Sequence, residues 1–283
     1  MTKEPLIRSI ADTARWAAVF RARESERRDA LFRDPLAGRL AGELGQRIAD
    51  EVPGGTSHSW AWVVRTYLFD QFIAQQIEQG VDMVVNLAAG LDARPYRMAV
   101  PPALKWIEVD LPDLIDYKES VIGGEQPGCV LERVRLDLAD TNARRVLFDR
   151  LGRESRKALV VTEGLLIYLT PEEVGLLAED LARTASFQSW VLELSSPGLL
   201  KILQQQLGPG LSQSGAAFKF GPEEGPGFFI DHGWKAAEVR SMLKSAARVK
   251  RLSPWLWLLS LLPESTGVQG SRPWSGVALL SKS

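Results

Sequence analysis

Val84-Val85-Asn86-Leu87-Ala88-Ala89-Gly90-Leu91-Asp92-Ala93-Arg94-Pro95-Tyr96 is the stretch whose reading decides the fold. An apolar run ends in a small-residue turn, and the turn opens a segment carrying Asp92 and Arg94. The first strand of a nucleotide-binding α/β domain ends in this way, with the backbone passing close beneath a ligand. Against the glycine fingerprint G-x-G-x-x-G, the chain offers Ala88-x-Gly90-x-x-Ala93, so only the central glycine is present. On its own the turn reads equally well as a tight strand-to-helix connection.

Working outward, the chain repeats strand, turn and helix from residue 81. Apolar runs stand at Met83–Leu87, Trp106–Val109, Val130–Leu136, Ala158–Thr162 and Trp190–Leu194. Helical patterns at Asp92–Met98, Pro112–Ile122, Thr141–Leu151 and Pro171–Thr184 separate most of them. Strands apolar on both faces, alternating with helices, predict an α/β fold with a parallel sheet covered on both sides. In such a sheet ligands bind beyond the carboxyl ends of the strands. Thr170-Pro171-Glu172-Glu173 is a clear helix start, with an N-cap, a proline at the first helical position and a glutamate three residues past the cap.

After residue 196 the alternation breaks. Residues 208–227, rich in Gly and Pro, predict an irregular connection or lid. A helix over Trp234–Leu243, a short segment near Val249, an amphipathic piece at 255–262 and a last strand at Gly276–Leu280 complete the expected order. Residues 1–80 read as helices. Ile10, Ala14, Ala17 and Ala18 share a face with Trp16, Arg21 and Arg23 off it, and the mixed charges of 21–28 read as a solvated surface. Asp34-Pro35 marks a helix start, Pro53-Gly54-Gly55 a loop, and Trp60–Gln79 a long helix holding Arg65, Tyr67 and Phe69. The expected organisation is one domain over 1–283. Residues 1–80 form a helical cap, 81–196 the α/β core, 197–245 a lid or substrate insertion, and 246–283 the last part of the sheet.

Bulk properties narrow the functions open to the chain. It has 283 residues, 45% of them hydrophobic, enough for one large α/β domain. Basic and acidic residues number 34 and 35, and this balance removes the main electrostatic argument for a nucleic-acid partner. One cysteine, Cys129, suits a reducing compartment, and two histidines, His58 and His232, give little material for a zinc site. The apolar run Trp255–Leu262 is too short to span a bilayer, and the charged first 30 residues lack a secretory pattern. The expectation is a cytoplasmic protein with no metal, nucleic acid or membrane partner.

Three strands end in acids. Asp110 follows Trp106-Ile107-Glu108-Val109, twenty residues after Gly90, at the separation where an acid takes ribose hydroxyls in nucleotide-binding α/β folds. Asp137, after Val134-Arg135-Leu136, reads either as an acceptor for the exocyclic amine of an adenine, with Leu138 against the ring, or as the N-cap of the next helix. Glu163, after Val161-Thr162 and before Gly164, is costly as a core residue and fits better facing a cleft, near a ligand ammonium. Arg65 reads as a clamp for a ligand carboxylate or as a surface arginine.

Val84 to Arg97, Trp106 to Lys118 and the run Val161 to Leu169 (with TEGLLIYL at 162–169) resemble the leucine carboxyl methyltransferase-like family. Asp29 to Pro35 and Val64-Arg65-Thr66-Tyr67 resemble its helical N-terminal segment, and His232-Gly233-Trp234 and Pro273-Trp274-Ser275-Gly276 add weaker echoes. The resemblance covers residues 15 to 200 in ordered blocks. It implies a Rossmann-like class I methyltransferase fold with a mostly parallel seven-stranded sheet, using S-adenosylmethionine. It places Arg65 on the methionyl carboxylate, Gly90 under the cofactor, Asp110 on the ribose, Asp137 and Leu138 at the adenine, and Glu163 with Gly164 by the methionyl amine. Where the family carries Gly-x-Gly this chain has Ala88-Ala89-Gly90, so binding should suffer if Ala88 needs a positive φ.

The branch resembled includes carboxyl methyltransferases of polyketides and of a protein C-terminus. A carboxylate acceptor is ionised at neutral pH and needs no general base. Carboxyl O-methylation of a small molecule is therefore the expected reaction, with a hydroxyl acceptor as the alternative; a hydroxyl would need a base, for which the candidates are Tyr168, His232 or a lid residue. Phe228 and Phe229, in the Gly-rich insertion, are the expected substrate-facing aromatics. Two rivals share the turn and the acid after the second strand: a nicotinamide-dependent oxidoreductase and a non-catalytic binder of adenosyl ligands. The first is disfavoured by the missing outer glycines and leaves Glu163-Gly164 unexplained.

Overall fold

In the computed structural model, which describes residues 10–51, 59–211, 217–263 and 270–283 (10, 11 and 207–211 by backbone only), the turn at residue 90 lies at the centre of a sheet. Among the described residues the sheet has seven strands in the order β3-β2-β1-β4-β5-β7-β6. They are β1 (Met83–Leu87), β2 (Lys105–Asp110), β3 (Val130–Arg135), β4 (Ala158–Thr162), β5 (Phe187–Ser195), β6 (Trp234–Ser241) and β7 (Ser275–Lys282). The first five pair in parallel, and β7 runs antiparallel between β5 and β6. Strand order reverses between β1 and β4, and a crevice opens at that point beyond the carboxyl ends of the strands. This is the expected Rossmann-like, mostly parallel architecture.

Alternate residues of the central strands feed two cores. Val85, Leu87, Val160 and Leu192 face α6 (Thr141–Glu154) and α7 (Pro171–Arg183), meeting Phe148, Leu151, Leu177 and Leu181. Val84, Trp106, Val161 and Val191 face α3 (Ser59–Glu78), meeting Val64, Leu68, Phe69 and Phe72. Each fully buried Leu, Ile or Phe contributes roughly 1.5–3 kcal/mol, so the two layers fix the strand ends that carry the site. The capping box at the start of α7 is complete: the Glu173 amide donates to Thr170 Oγ1 at 3.2 Å, and the Thr170 amide donates to Glu173 Oε2 at 2.7 Å.

The structure corrects several expectations. The segment from Trp234 is the strand β6, and the helix α9 (Met242–Arg248) begins only after Ser241. Its Lys-, Ala- and Glu-rich composition favours a helix, but antiparallel pairing with β7 overrides local preference, and its charged side chains suit a sheet edge. The helix expected over Asp92–Met98 is the short α4 (Arg94–Arg97), where Asp92 Oδ1 accepts the Arg94 amide at 2.9 Å and Met98 is already extended.

In α1 (Ile10–Ser25) the charge run is not a uniform solvated surface. Arg21 is buried, donating from Nε to Asp34 at 2.9 Å and from Nη2 to the Leu91 carbonyl at 2.6 Å. Trp16 is buried against Trp62, with ring centroids 5.4 Å apart. The cause is that α1 is packed against both α2 (Ala37–Glu51) and the turn after β1, which leaves these positions no open face. The expected loop at Pro53-Gly54-Gly55 and residues 212–216 of the Gly-rich stretch lie outside the described residues.

Candidate active site

A cavity of about 1650 Å³ opens over the carboxyl ends of the central strands. Its floor is the turn after β1. Ala88 and Gly90 both have φ of +52°, the left-handed region that favours glycine. The Ala89 amide donates to the Val109 carbonyl at 3.2 Å, and the Gly90 amide donates to Asp110 Oδ2 at 2.6 Å. Asp110 Oδ1 accepts the Leu111 amide at 2.7 Å. Burial pushes the Asp110 carboxyl up, and these two amides oppose the shift without cancelling it. A Cβ at Gly90 would stand 3.4 Å from that of Ala14, so α1 packs close over the turn.

One wall is a cluster of buried charges. Glu163 Oε1 accepts from Arg65 Nε at 3.0 Å, and its Oε2 lies 2.8 Å from Arg94 Nη2. Arg94 also pairs with Asp92 at 2.8 Å and Asp70 at 2.7 Å, and Arg97 pairs with Asp70 at 2.7 Å. Burial pushes Glu163 up, but Arg94 and Arg65 outweigh it and hold the carboxyl below its usual range. Asp92 is lowered in the same way: burial opposes ionisation, and Arg94 with Lys118 and Arg97 overcomes it. Glu193, from the end of β5, lies 3.8 Å from Arg65 Nη1 and accepts the Gly164 amide at 2.5 Å. Gly164 has φ of +76°, and a Cβ there would face the Arg65 guanidinium at 3.6 Å.

Arg65, Ala88, Gly90, Asp110, Glu163, Gly164 and Tyr168 thus line one cavity, although more than ninety residues separate Arg65 from Tyr168 in sequence. Arg65 is not a surface arginine. Tyr168 stands in the 3-10 turn Leu166–Tyr168 with its hydroxyl 3.5 Å from Thr13 Oγ1 and its ring 5.5 Å from that of Phe218. Burial raises its phenol.

Four expected residues lie elsewhere. Asp137 is exposed at the end of β3 and turns back to accept the Ala139 amide at 2.9 Å. Asp140, not Asp137, caps α6. Leu138 packs on the core beneath the sheet edge, and neither Asp137 nor Leu138 lines the cavity. Phe229 is fully buried, its ring 5.2 Å from that of Trp190, and Phe228 packs on Phe229 and Phe220. Both belong to the core, not to the cavity wall, because the 3-10 helix Gly225–His232 folds back on β5 and β6. Glu193 and Arg94 were missed as site residues. A carboxylate inside the apolar run Trp190–Leu194 is the same signal that singles out Glu163.

The leucine carboxyl methyltransferase family model matches residues 14–182. The chain belongs to that family. It is an S-adenosylmethionine-dependent methyltransferase. Among relatives of the family member, a "putative S-adenosyl-L-methionine-dependent methyltransferase" of Parafrankia sp. (strain EAN1pec) is 33% identical over 82% of this chain and 79% of its own. One from Streptomyces coelicolor, with the same description, is 33% identical over 80% and 83%. Among solved structures, a protein of the duf574 family from Streptomyces avermitilis superposes with a TM-score of 0.58 at 13% identity, over 96% of this chain and 97% of that one. A methyltransferase-like structure from Thermobifida fusca gives 0.57 at 14% identity, over 99% and 96%. At such identities the superpositions establish the shared fold. Among the described residues no helix is long and apolar enough to cross a membrane.

Proposed function

We propose that this methyltransferase transfers the methyl group of S-adenosylmethionine to an oxygen, a carboxylate in the first instance, of a small apolar acceptor. The observation that carries the reading is the cavity's mixed lining. The charged groups Arg65, Glu163 and Glu193 share the wall with the apolar side chains of Trp60, Trp62, Leu199, Leu203, Phe218 and Leu256, and the Arg65 guanidinium stands 4.8 Å from the centroid of the Trp62 ring. At about 1650 Å³ the cavity exceeds the ~300–1,000 Å³ of a typical small-ligand pocket, leaving room for donor and acceptor together. A protein C-terminus would bring backbone amides needing partners, and a lining with this many apolar side chains favours a small apolar molecule.

The residues present fit the donor. Asp110 offers a buried carboxylate to ribose hydroxyls, Glu163 an ionised one to the ammonium, and Arg65, which donates from Nε to Glu163 and lines the cavity, would take the carboxylate. Three cations, Arg65, Arg94 and Arg97, meet four carboxylates, Asp70, Asp92, Glu163 and Glu193, a balance that suits a ligand of net positive charge. When bound, S-adenosylmethionine supplies a methyl group on a positively charged sulfur. The protein's part is to hold the acceptor oxygen on the sulfur–methyl axis and exclude water, and positioning of this kind can supply roughly 7–11 kcal/mol of the barrier reduction. Among the described residues no histidine lines the cavity, and an ionised carboxylate needs no base.

Labelled methyl transfer tests the reading. Donor with a labelled methyl group is incubated with apolar carboxylic acids and with the matching alcohols and phenols. Label in a product that mild alkali releases as methanol is the expected result, because esters are cleaved and ethers are not. Alkali-stable label identifies a hydroxyl acceptor and overturns the carboxylate reading.

A further inference from the structure

Glu193 differs from the other acids of the cluster. Its side chain is 12% exposed and lies in the cavity wall at the end of β5. Oε1 accepts the Gly164 amide at 2.5 Å, while Oε2 is buried with no hydrogen-bond partner. The groups that face it are Arg65 from α3 at 3.8 Å, Glu163 from the end of β4, and Tyr168 from the 3-10 turn. Its partner across the sheet on β7 is the apolar Val277. Burial pushes Glu193 up to about 7; Arg65 opposes this and Glu163 adds to it. Glu163, held by two arginines, stays ionised. Glu193 is therefore the acid of the cluster whose charge depends on what else stands in the cavity.

We propose that Glu193 is the proton-linked counter-charge to the donor's sulfonium, ionised while the cationic sulfur is present and protonated once the sulfur is neutral. This rests on the donor reading given under Proposed function. In the transfer a carbon–oxygen bond forms at the acceptor, the carbon–sulfur bond breaks, and its electron pair returns to sulfur. The sulfonium's positive charge and the acceptor carboxylate's negative charge are neutralised together, so once the uncharged ester departs the bound S-adenosylhomocysteine presents no cation on sulfur. A buried carboxylate that loses a nearby cation becomes more basic, and Glu193 takes up a proton from solvent. The same linkage makes Glu193 favour S-adenosylmethionine over S-adenosylhomocysteine, and increasingly so as pH rises through neutrality. In this role it sets donor-over-product specificity by charge, not by contact with the transferred methyl group.

The test is titration calorimetry of the full chain with S-adenosylmethionine, S-adenosylhomocysteine and sinefungin, whose ammonium replaces the sulfonium. Measurements run from about pH 6 to about pH 8 in two buffers of different ionisation enthalpy. In the wild type, S-adenosylmethionine and sinefungin should release more protons than S-adenosylhomocysteine at neutral pH. The ratio of Kd for S-adenosylhomocysteine to that for S-adenosylmethionine should rise about fivefold or more across the range. Glu193→Gln should flatten that rise. Equal proton release for the three ligands, or an unchanged rise in Glu193→Gln, overturns the proposal with the cofactor site intact. Absence of binding by all three overturns the donor reading as well. Should Glu193→Gln fail to fold, the wild-type proton count decides by itself.

Discussion

Asp110 accepts the Gly90 amide at 2.6 Å, joining the end of the second strand to the turn that follows the first. One carboxylate therefore shapes the floor of the cavity and stands at its edge. Asp110→Ala should weaken S-adenosylmethionine about ten- to a hundredfold, in line with roughly 1.5–3 kcal/mol for a hydrogen bond to a charged group. Calorimetry reads this directly, and unchanged affinity would show that the ribose lies elsewhere.

Ala88 has φ of +52°, where a Cβ costs roughly 1–2 kcal/mol and glycine nothing. Ala88→Gly gives part of that back as extra freedom of the unfolded chain. The net expectation is a stability gain of about 0.5–1 kcal/mol with donor affinity equal or higher. Urea unfolding and calorimetry check the two halves, and a large loss of affinity would mean that the turn does not underlie the donor.

Arg94 balances Asp70, Asp92 and Glu163 from the one-turn helix α4. Removing one partner of a buried ion network leaves uncompensated charge, typically at a cost of about 3–5 kcal/mol. Arg94→Met should therefore unfold at markedly lower urea concentration than Arg65→Ala, whose side chain is more exposed.

The raised Glu193 carboxyl has a pH signature in stability. A group whose carboxyl is higher in the folded state binds more protons there, so its contribution is complete below the unfolded value near 4.5 and is lost as pH rises through about 7. Glu193→Gln should unfold at higher urea than the wild type at pH 8, by up to about 2 kcal/mol, with the difference shrinking towards pH 5. Lowered Glu163 and Asp92 act in the opposite sense, adding stability above the ordinary carboxylate range that is lost on acidification. A difference between wild type and Glu193→Gln that is the same at both pH values would refute the shift.

Phe229 packs edge-on against Trp190 at 5.2 Å inside the core. Phe229→Ala should cost about 3–5 kcal/mol of stability. Affinity for S-adenosylmethionine measured well below the unfolding temperature should be unchanged. If stability were retained and acceptor turnover alone were lost, Phe229 would belong to the acceptor wall after all.

Sequence alone determined the alternating α/β order, the turn at Gly90, and the acids that close strands two and four, because strand ends and their turns are written in local patterns of apolar and small residues. The family resemblance of its ordered blocks implied that Asp110, Glu163 and Arg65 share one site, while spacing alone left Arg65 open as a surface residue. The strand β6 was hidden because its composition favours a helix and only the partner strand β7 decides otherwise. Phe228 and Phe229 read as cavity residues because an aromatic pair in a glycine-rich stretch carries no record of which way the stretch folds. The charge state of the cluster also belongs to the tertiary structure. Arg65, Arg94, Glu163 and Glu193 come from four separate segments, and a carboxylate's proton is set by burial and by neighbours a few ångströms away in space. The turn around Ala88 shows both sides: its small residues are visible in the chain, while the positive φ that makes alanine costly there is imposed by the strands and helix that meet around it.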